Sequence, residues 1–230
     1  MQHEIIDSHI HPALDDSQWI CSFAGMPSPK KQVQTLRKNG ISRACGSVIA
    51  KGEFKHFSEV EKLNRDAFRF RDQFPDFYIP GIHIHPHFPQ ESCRELERCH
   101  AEGLRWIGEL VGYYMNYGDH YMQDGAKTIY QKADDLGMVV NFHCGDLNVI
   151  RKMCEEFPNL RFVLAHPGNT ADCRLRVQLV KNYPNLYLDL SGTGVMRLGM
   201  IRHAVDKAGS DKILTEATTR PATRQCTSPA

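Results

Sequence analysis

Short apolar runs alternate along the chain with longer segments in which apolar residues recur at helical spacing. Strand-like runs rich in Val, Ile, Leu and Phe, separated by amphipathic helices, are typical of a parallel sheet built from βα units. Eight such runs begin 22 to 37 residues apart, which leaves room for one βα unit each. They are EIIDSHIHP from residue 4, ISRACGSVIA from 41, FYIPGIHIHP from 77, LRWIGELV from 104, MVVNFHCG from 138, LRFVLAHPG from 160, LYLDLSGTG from 186 and DKIL from 211.

The segments between the runs carry signals for helix starts and ends. Ser28 followed by Pro29 predicts one helix start. The spacings Ser58–Glu61 and Ser92–Glu95 predict capping boxes that open two more helices. Glycines are expected to end helices at Gly40, Gly103 and Gly137. In the second helix an apolar stripe is predicted to face the core, formed by Val60, Leu63, Ala67, Phe70 and Phe74.

Eight βα units predict an α/β protein with the (β/α)8 or TIM-barrel fold, and we expect one domain over residues 1–214. The eighth run begins only at residue 211, and residues 215–230, TEATTRPATRQCTSPA, have no amphipathic pattern. The expected barrel is therefore truncated or frameshifted at strand eight and lacks its last helix, with an irregular C-terminal tail. The apolar surface left uncovered would favour association, so a homodimer is one expected assembly.

Composition narrows the class of partner. The chain has 28 Lys plus Arg against 27 Asp plus Glu, and the basic residues are scattered, so we expect a small-molecule substrate and no nucleic acid. No apolar run approaches the roughly 20 residues of a membrane span, and no signal-peptide pattern opens the chain. These features predict a cytoplasmic protein without a membrane partner. The eight cysteines form no C-x-x-C pair, which argues against a zinc ribbon.

Chemistry-bearing residues recur at the carboxyl ends of the predicted strands. Because side chains alternate across a strand, Asp7, His9 and His11 share one face of strand one. Glu109 ends strand four, His143 strand five and His166 strand six. The active sites of (β/α)8 barrels form at this end, so these groups are expected to converge there. Imidazole nitrogens and carboxylate oxygens are ligands of catalytic divalent ions such as zinc, and the pattern predicts a metal site.

The motifs DSHIHP, GEL, FHCG and LAHPG, in this order and on these strands, resemble the amidohydrolase superfamily of metal-dependent barrels. Within it, they resemble the amidohydrolase-2 branch that includes the aminocarboxymuconate-semialdehyde decarboxylase type. The resemblance implies metal ligation by His9, His11 and His143. It implies that His166 is catalytic in a one-metal site or a ligand in a two-metal site. Glu109 resembles a bridging carboxylate of TatD-like members, so one or two ions are implied, with zinc expected.

Other candidates have weaker support. His83, His85 and His87 end strand three, where lining a substrate pocket and being ordinary polar residues of the barrel mouth are equally good explanations. Asp189 is expected to face the mouth or to orient a metal ligand. The loops at residues 12–29 and 111–121 are long and aromatic enough to shape a pocket, although they are equally able to be solvent-facing covers.

The tail departs from the family pattern. The resemblance implies G-[ST]-D-x-P after strand eight, with an aspartate that binds the metal, and here position 218 is Thr218. Codon degeneracy permits Gly-Ser-Asp-Tyr-Pro-Ala-Cys-Asn-Pro in a shifted frame from Thr215 onward, which suggests a single-base loss after Leu214. Glu216 has the strand phase to substitute, but it would lie about 7 Å deeper in the barrel.

Four functions follow from this sequence. The first is hydrolysis of an amide, ester or lactone-like bond by metal-activated water, with His166 and Glu109 as catalytic residues. The second is metal-dependent, non-oxidative decarboxylation of a small carboxylic acid, which the same ligands would serve. A DNA-directed nuclease, as some TatD-like proteins are, comes third because the near-neutral charge provides no phosphate track. The fourth is an inactive barrel, because the strand-eight aspartate is absent.

Overall fold

The computed structural model of the chain describes residues 4–19, 25–192, 194 and 197–215. Eight parallel strands follow one another in chain order around a nearly closed barrel. They are β1 (Ile6–Ile10), β2 (Arg43–Ser47), β3 (Tyr78–Ile82), β4 (Trp106–Val111), β5 (Val139–His143), β6 (Arg161–Leu164), β7 (Leu186–Asp189) and β8 (Ile213–Leu214). The eight-stranded barrel predicted from the sequence is confirmed.

Helices connect the strands on the outside of the barrel, and the described part of the chain contains seven of them. They are α1 (Pro29–Lys38), α2 (Phe57–Gln73), α3 (Pro89–Ala101), α4 (Asp124–Asp135), α5 (Leu147–Glu156), α6 (Thr170–Asn182) and α7 (Met200–Ala208). No eighth helix follows β8 up to residue 215, where the described residues end. None of the helices described is long and apolar enough to cross a membrane.

Two of the predicted helix starts are wrong. Helix α2 begins at Phe57, two residues earlier than the Ser58–Glu61 spacing implies, and the Glu59 carboxylate accepts a hydrogen bond from the His56 backbone N–H at 3.0 Å. Helix α3 begins at Pro89, and Ser92 lies inside its first turn. The Ser92 hydroxyl accepts from the His85 N–H at 2.9 Å, because the loop after β3 passes over this turn.

Other local predictions are confirmed. Ser28 caps α1 by accepting from the Lys31 N–H, with Pro29 as the first helical residue. The three helix-ending glycines, Gly40, Gly103 and Gly137, all have left-handed backbones. The apolar stripe of α2 is buried at Val60, Leu63, Ala67 and Phe70 and partly buried at Phe74. Together with the outer faces of the strands, this stripe belongs to one continuous core.

Thr215 completes the seam between β8 and β1. Its carbonyl accepts from the Ser8 backbone N–H at 2.9 Å, and its hydroxyl donates to the Ile6 carbonyl at 3.1 Å. The first residue of the predicted tail is therefore bonded into the barrel. The predictions concerning Glu216, Thr218 and the rest of the tail lie outside the described residues.

Candidate metal centre

Glu109 is the point at which the predicted site residues meet. Its Oε2 atom lies 3.1 Å from the Nε2 atoms of both His9 and His11. Its Oε1 atom lies 3.4 Å from His143 Nδ1 and 3.4 Å from His166 Nε2. The strand phase that predicted one common mouth thus brings all five groups together at the carboxyl ends of β1, β4, β5 and β6.

The geometry divides these groups into two sets. His9, His11 and Glu109 present ligand atoms within 4.8 Å of one another, and Glu109, His143 and His166 do the same. Within the described ranges, no such set joins His143 to His9 and His11. The described residues thus offer two trios that share a carboxylate, and ligation of one ion by His9, His11 and His143 stays a prediction.

Hydrogen bonds at the Nδ1 atoms orient the rings of His9 and His11. His9 Nδ1 lies 2.9 Å from a carboxylate oxygen of Asp189, and His11 Nδ1 lies 2.9 Å from the Ser47 carbonyl oxygen. Both partners are acceptors, so both Nδ1 atoms carry protons and both Nε2 atoms point towards Glu109. The two Nε2 atoms lie only 3.0 Å apart. Such a cluster of lone pairs around a carboxylate requires a cation or an added proton.

The close approach of His9 and Glu109 shifts the pKa values of both groups. Burial opposes ionisation of both His9 and Glu109, but their mutual attraction outweighs it. The pKa of His9 is raised well above its usual value by the Asp189 and Glu109 charges. The pKa of Glu109 is lowered well below its own by the His9 charge and by the His11, His143 and His166 rings that surround it. A proton on His9 therefore occupies the role that a bound cation would take.

Asp189, at the end of β7, contacts the candidate ligand His9. Orienting a metal ligand was one of the two roles that the sequence suggested for it. It is fully buried, and its Oδ2 accepts from Asn141 Nδ2 at 3.0 Å as well as from His9. Its Oδ1 accepts from the backbone N–H groups of His166 at 3.1 Å and Ser191 at 3.0 Å, and from the Ser191 hydroxyl. Burial raises the pKa of this carboxyl, but the His9 charge and hydrogen bond lower it further, so it is ionised.

His166 has a left-handed backbone, with φ of 68°, which is uncommon for a residue with a side chain. Ser191 donates its single hydroxyl proton to Asp189, so its oxygen accepts from His166 Nδ1 at 2.6 Å. His166 Nε2 therefore carries the lone pair that faces Glu109. Gly192 leaves room for this ring, since a Cβ there would lie 2.7 Å from His166 Nδ1.

Two residues that the sequence did not single out fix the ends of β5 and β6. Arg176 on α6 is buried and donates to the carbonyl oxygens of Cys144, Ala165 and His166 at 2.8 to 2.9 Å. Tyr121, also buried, has its hydroxyl 2.7 Å from the His143 carbonyl. Both act on backbone atoms beside candidate ligands, so neither a motif nor strand phase could reveal them.

The strand-three histidines differ from one another. His85 is buried and fully paired, with Nε2 2.9 Å from the Met115 carbonyl and Nδ1 accepting from the His87 N–H at 3.2 Å. His87 is exposed. His83 is buried at the mouth, and one of its ring nitrogens has no partner within the described part of the chain. On the loop after β4, Tyr113 is 60% exposed, and its ring meets the His143 ring edge-on at 5.3 Å.

The chain thus falls in the class of eight-stranded βα barrels that carry a candidate metal site at the mouth, here four histidines and a glutamate. A family model described as Amidohydrolase matches residues 6–222. The chain belongs to this family, the amidohydrolase-2 branch that its motifs resemble. A search of curated proteins found no match.

Solved structures share the fold at low sequence identity. A 2,6-dihydroxybenzoate decarboxylase from Rhizobium superposes with a TM-score of 0.66 at 16% identity, covering 96% of this chain and 88% of its own. A 5-carboxyvanillate decarboxylase from Novosphingobium aromaticivorans with bound manganese gives 0.63 at 13%, covering 82% and 70%. A probable 2-pyrone-4,6-dicarboxylic acid hydrolase from Acinetobacter baumannii gives 0.62 at 14%, covering 96% and 86%.

Proposed function

We propose that the chain is a metal-dependent hydrolase that cleaves an amide, ester or lactone-like bond of a small molecule. The observation that carries this proposal is the position of Glu109, whose two oxygens face two different pairs of histidines. A carboxylate shared in this way is suited to bridge two divalent ions, an arrangement used in two-metal hydrolysis.

The residues present fit such a group. His9, His11 and Glu109 would hold one ion, and Glu109, His143 and His166 the other. Two atoms of the second trio, Glu109 Oε1 and His143 Nδ1, are buried and have no hydrogen-bond partner among the described residues, which suits them to act as metal ligands. Divalent ions held there supply Lewis-acid activation of a water molecule and of the scissile carbonyl. Nitrogen and oxygen donors suit zinc and manganese alike.

The chain's own residues supply positioning and proton handling. Asp189 and Ser47 hold the Nδ1 protons of His9 and His11, which keeps both Nε2 atoms available. Ser191 holds the Nδ1 proton of His166 in the same way. If only one ion binds, His166 Nε2 is free to take a proton or to stabilise the charge that develops on the substrate oxygen.

Decarboxylation of a small carboxylic acid is the second candidate. It is favoured by the names of two structural neighbours, which are decarboxylases of 2,6-dihydroxybenzoate and 5-carboxyvanillate. The same histidines and Glu109 would hold the metal in that reaction. A chain that retains ligand binding but not catalysis is a third candidate, because Thr218 stands where the family resemblance implies aspartate.

Metal analysis and a substrate panel separate these candidates. The purified chain is depleted of metal, reconstituted with Zn²⁺ or Mn²⁺, and analysed for ions per chain. It is then assayed on 2-pyrone-4,6-dicarboxylate and aryl esters for hydrolysis, and on the two aromatic acids for carbon dioxide release. We expect two ions per chain and hydrolysis. One ion per chain with carbon dioxide release would support decarboxylation, and tight metal binding without turnover would support the inactive barrel.

Two glutamate variants control this experiment. Glu109→Gln removes the shared carboxylate and is expected to lower the metal content below one ion per chain. Glu95→Gln is the matched control, because Glu95 is also buried but bonds to Asn64 and Arg98 and to none of the four candidate ligand histidines. If Glu109→Gln retained the metal content of Glu95→Gln, the bridging role would be excluded.

A further inference from the structure

His83 belongs to the inward face of the barrel. Ser47 pairs with Gly81 across β2 and β3, and side chains two residues apart on a strand point the same way. His83 follows Gly81 by two residues, so it continues the face that carries Ser47 towards the mouth. It is close enough to His11 and Glu109 for their charges to act on its ring. Only 1% of its surface is exposed.

Hydrogen bonds fix the proton on this ring. His83 Nε2 lies 2.8 Å from the Val48 carbonyl oxygen, which can only accept, so Nε2 carries the proton. Nδ1 is therefore an acceptor, and it is buried without a partner in the described structure. Burial lowers the pKa of His83 to about 4, so the ring is neutral near pH 7.

The backbone of His83 is held equally firmly. Its N–H donates to Asn64 Oδ1 at 2.7 Å, and its carbonyl accepts from Asn64 Nδ2 at 3.1 Å. His85 provides a contrast, since it has the same tautomer but its Nδ1 accepts from the His87 N–H. On the same face, Ser47 Oγ is also buried and has no hydrogen-bond partner among the residues that the structure describes. A rigidly held, buried acceptor on the same face of the sheet as a second polar atom is the arrangement expected of a polar subsite.

We propose that His83 Nδ1, on the face of the sheet that also carries Ser47, forms a subsite that accepts a hydrogen bond from a hydroxyl group of the substrate. The subsite selects a hydroxylated small molecule over an analogue that lacks the donor. This inference adds a substrate preference to the proposed function, and it rests on that function only for the position of the reacting centre. The hydrogen-bond roles of His83 do not depend on which metal binds or how many ions are present.

The test uses phenol, resorcinol and 2,6-dihydroxybenzoate as hydroxylated probes and 2,6-difluorobenzoate as the probe without a donor. The protein carries ¹⁵N-labelled histidine and is studied both metal-free and after addition of Zn²⁺. We expect at least one hydroxylated probe to move the His83 Nδ1 resonance upfield while the difluoro probe does not. If no hydroxylated probe binds, or if one binds without moving this resonance, the subsite is refuted.

Variants provide a second measurement. In calorimetric titrations the wild type should bind 2,6-dihydroxybenzoate about tenfold or more tightly than the difluoro analogue, because an unmet buried acceptor penalises the latter. His83→Phe should abolish this preference, and His83→Asn, which retains an acceptor, should restore part of it. His85→Gln is the control and should retain the preference. Equal loss in the His83 and His85 variants would overturn the assignment, whereas failure of metal binding alone would count against the proposed function only.

Discussion

Asp189→Asn is the substitution that most severely tests how the site is held. The change replaces one carboxylate oxygen by an NH₂ group with almost no change in volume. The wild-type carboxylate accepts hydrogen bonds from three side chains, those of His9, Asn141 and Ser191, and from two backbone N–H groups. The variant amide retains its Oδ1 acceptor for the backbone groups, so the new NH₂ group faces His9 Nδ1 and Asn141 Nδ2.

Both of those atoms are donors, and the site must rearrange. Losing the charge-assisted bond from Asn141 costs about 1.5–3 kcal/mol, and the proton on His9 must move from Nδ1 to Nε2 to avoid a second clash. A protonated Nε2 cannot bind a metal. The unpaired, desolvated amide of Asn141 adds to this cost, so we expect a total loss of about 3 kcal/mol in the free energy of unfolding. We also expect a 10- to 100-fold weaker metal affinity, which is typical when a partner that orients a ligand is lost.

Urea unfolding and Zn²⁺ titration against a competing chelator measure the two effects separately. Asp66→Asn is the matched control, because Asp66 is also buried but accepts from Gln18 and Lys62 and bonds to none of the candidate metal ligands. The control should lose stability but keep its metal affinity. A wild-type metal affinity in Asp189→Asn, or an equal loss in both variants, would refute the orienting role.

Three further predictions concern other parts of the site. Gly192 has a φ of 55°, and a Cβ added there would lie 2.7 Å from His166 Nδ1. Gly192→Ala should therefore lower the free energy of unfolding by about 1–2 kcal/mol and displace the His166 ring. An unchanged His166 resonance in histidine-labelled protein would argue against this. The pKa of His83 falls from 6.5 to about 4 on folding. The free energy of unfolding is therefore undiminished above pH 6.5, where His83 is neutral in both states, and it decreases by about 3 kcal/mol as the pH falls to 4. Urea unfolding at pH 7 and pH 5 should show a smaller pH effect in His83→Phe, and equal slopes would contradict this. Finally, a chain carrying the shifted-frame tail from Thr215 onward should be more active than the present chain, and gene sequencing that finds no G-[ST]-D-x-P in that frame would remove the frameshift hypothesis.

Much of the fold follows from the sequence because each βα unit is a local pattern. Short apolar runs and helical stripes are imposed by the layers in which they lie, so all eight strands were predicted close to their observed bounds. Helix starts were less predictable, since Ser92 has the spacing of a capping box but bonds to His85 in the preceding loop. Such a loop contact is tertiary, and the local sequence carries no sign of it.

The candidate site shows the same division. Strand phase alone brings His9, His11, Glu109, His143 and His166 to one mouth. It does not determine which oxygen of Glu109 faces which pair, so the division into two trios required the structure. Arg176 escaped prediction because it acts through carbonyl oxygens from a helix, where an arginine ordinarily indicates a solvated face.

An anomalous-scattering experiment on crystals of the chain soaked in Zn²⁺ tests whether Glu109 bridges two cations. We expect two anomalous peaks, one beside His9 and His11 and one beside His143 and His166, with Glu109 between them. A single peak bound jointly by His9, His11 and His143, or peaks that do not contact Glu109, would contradict it.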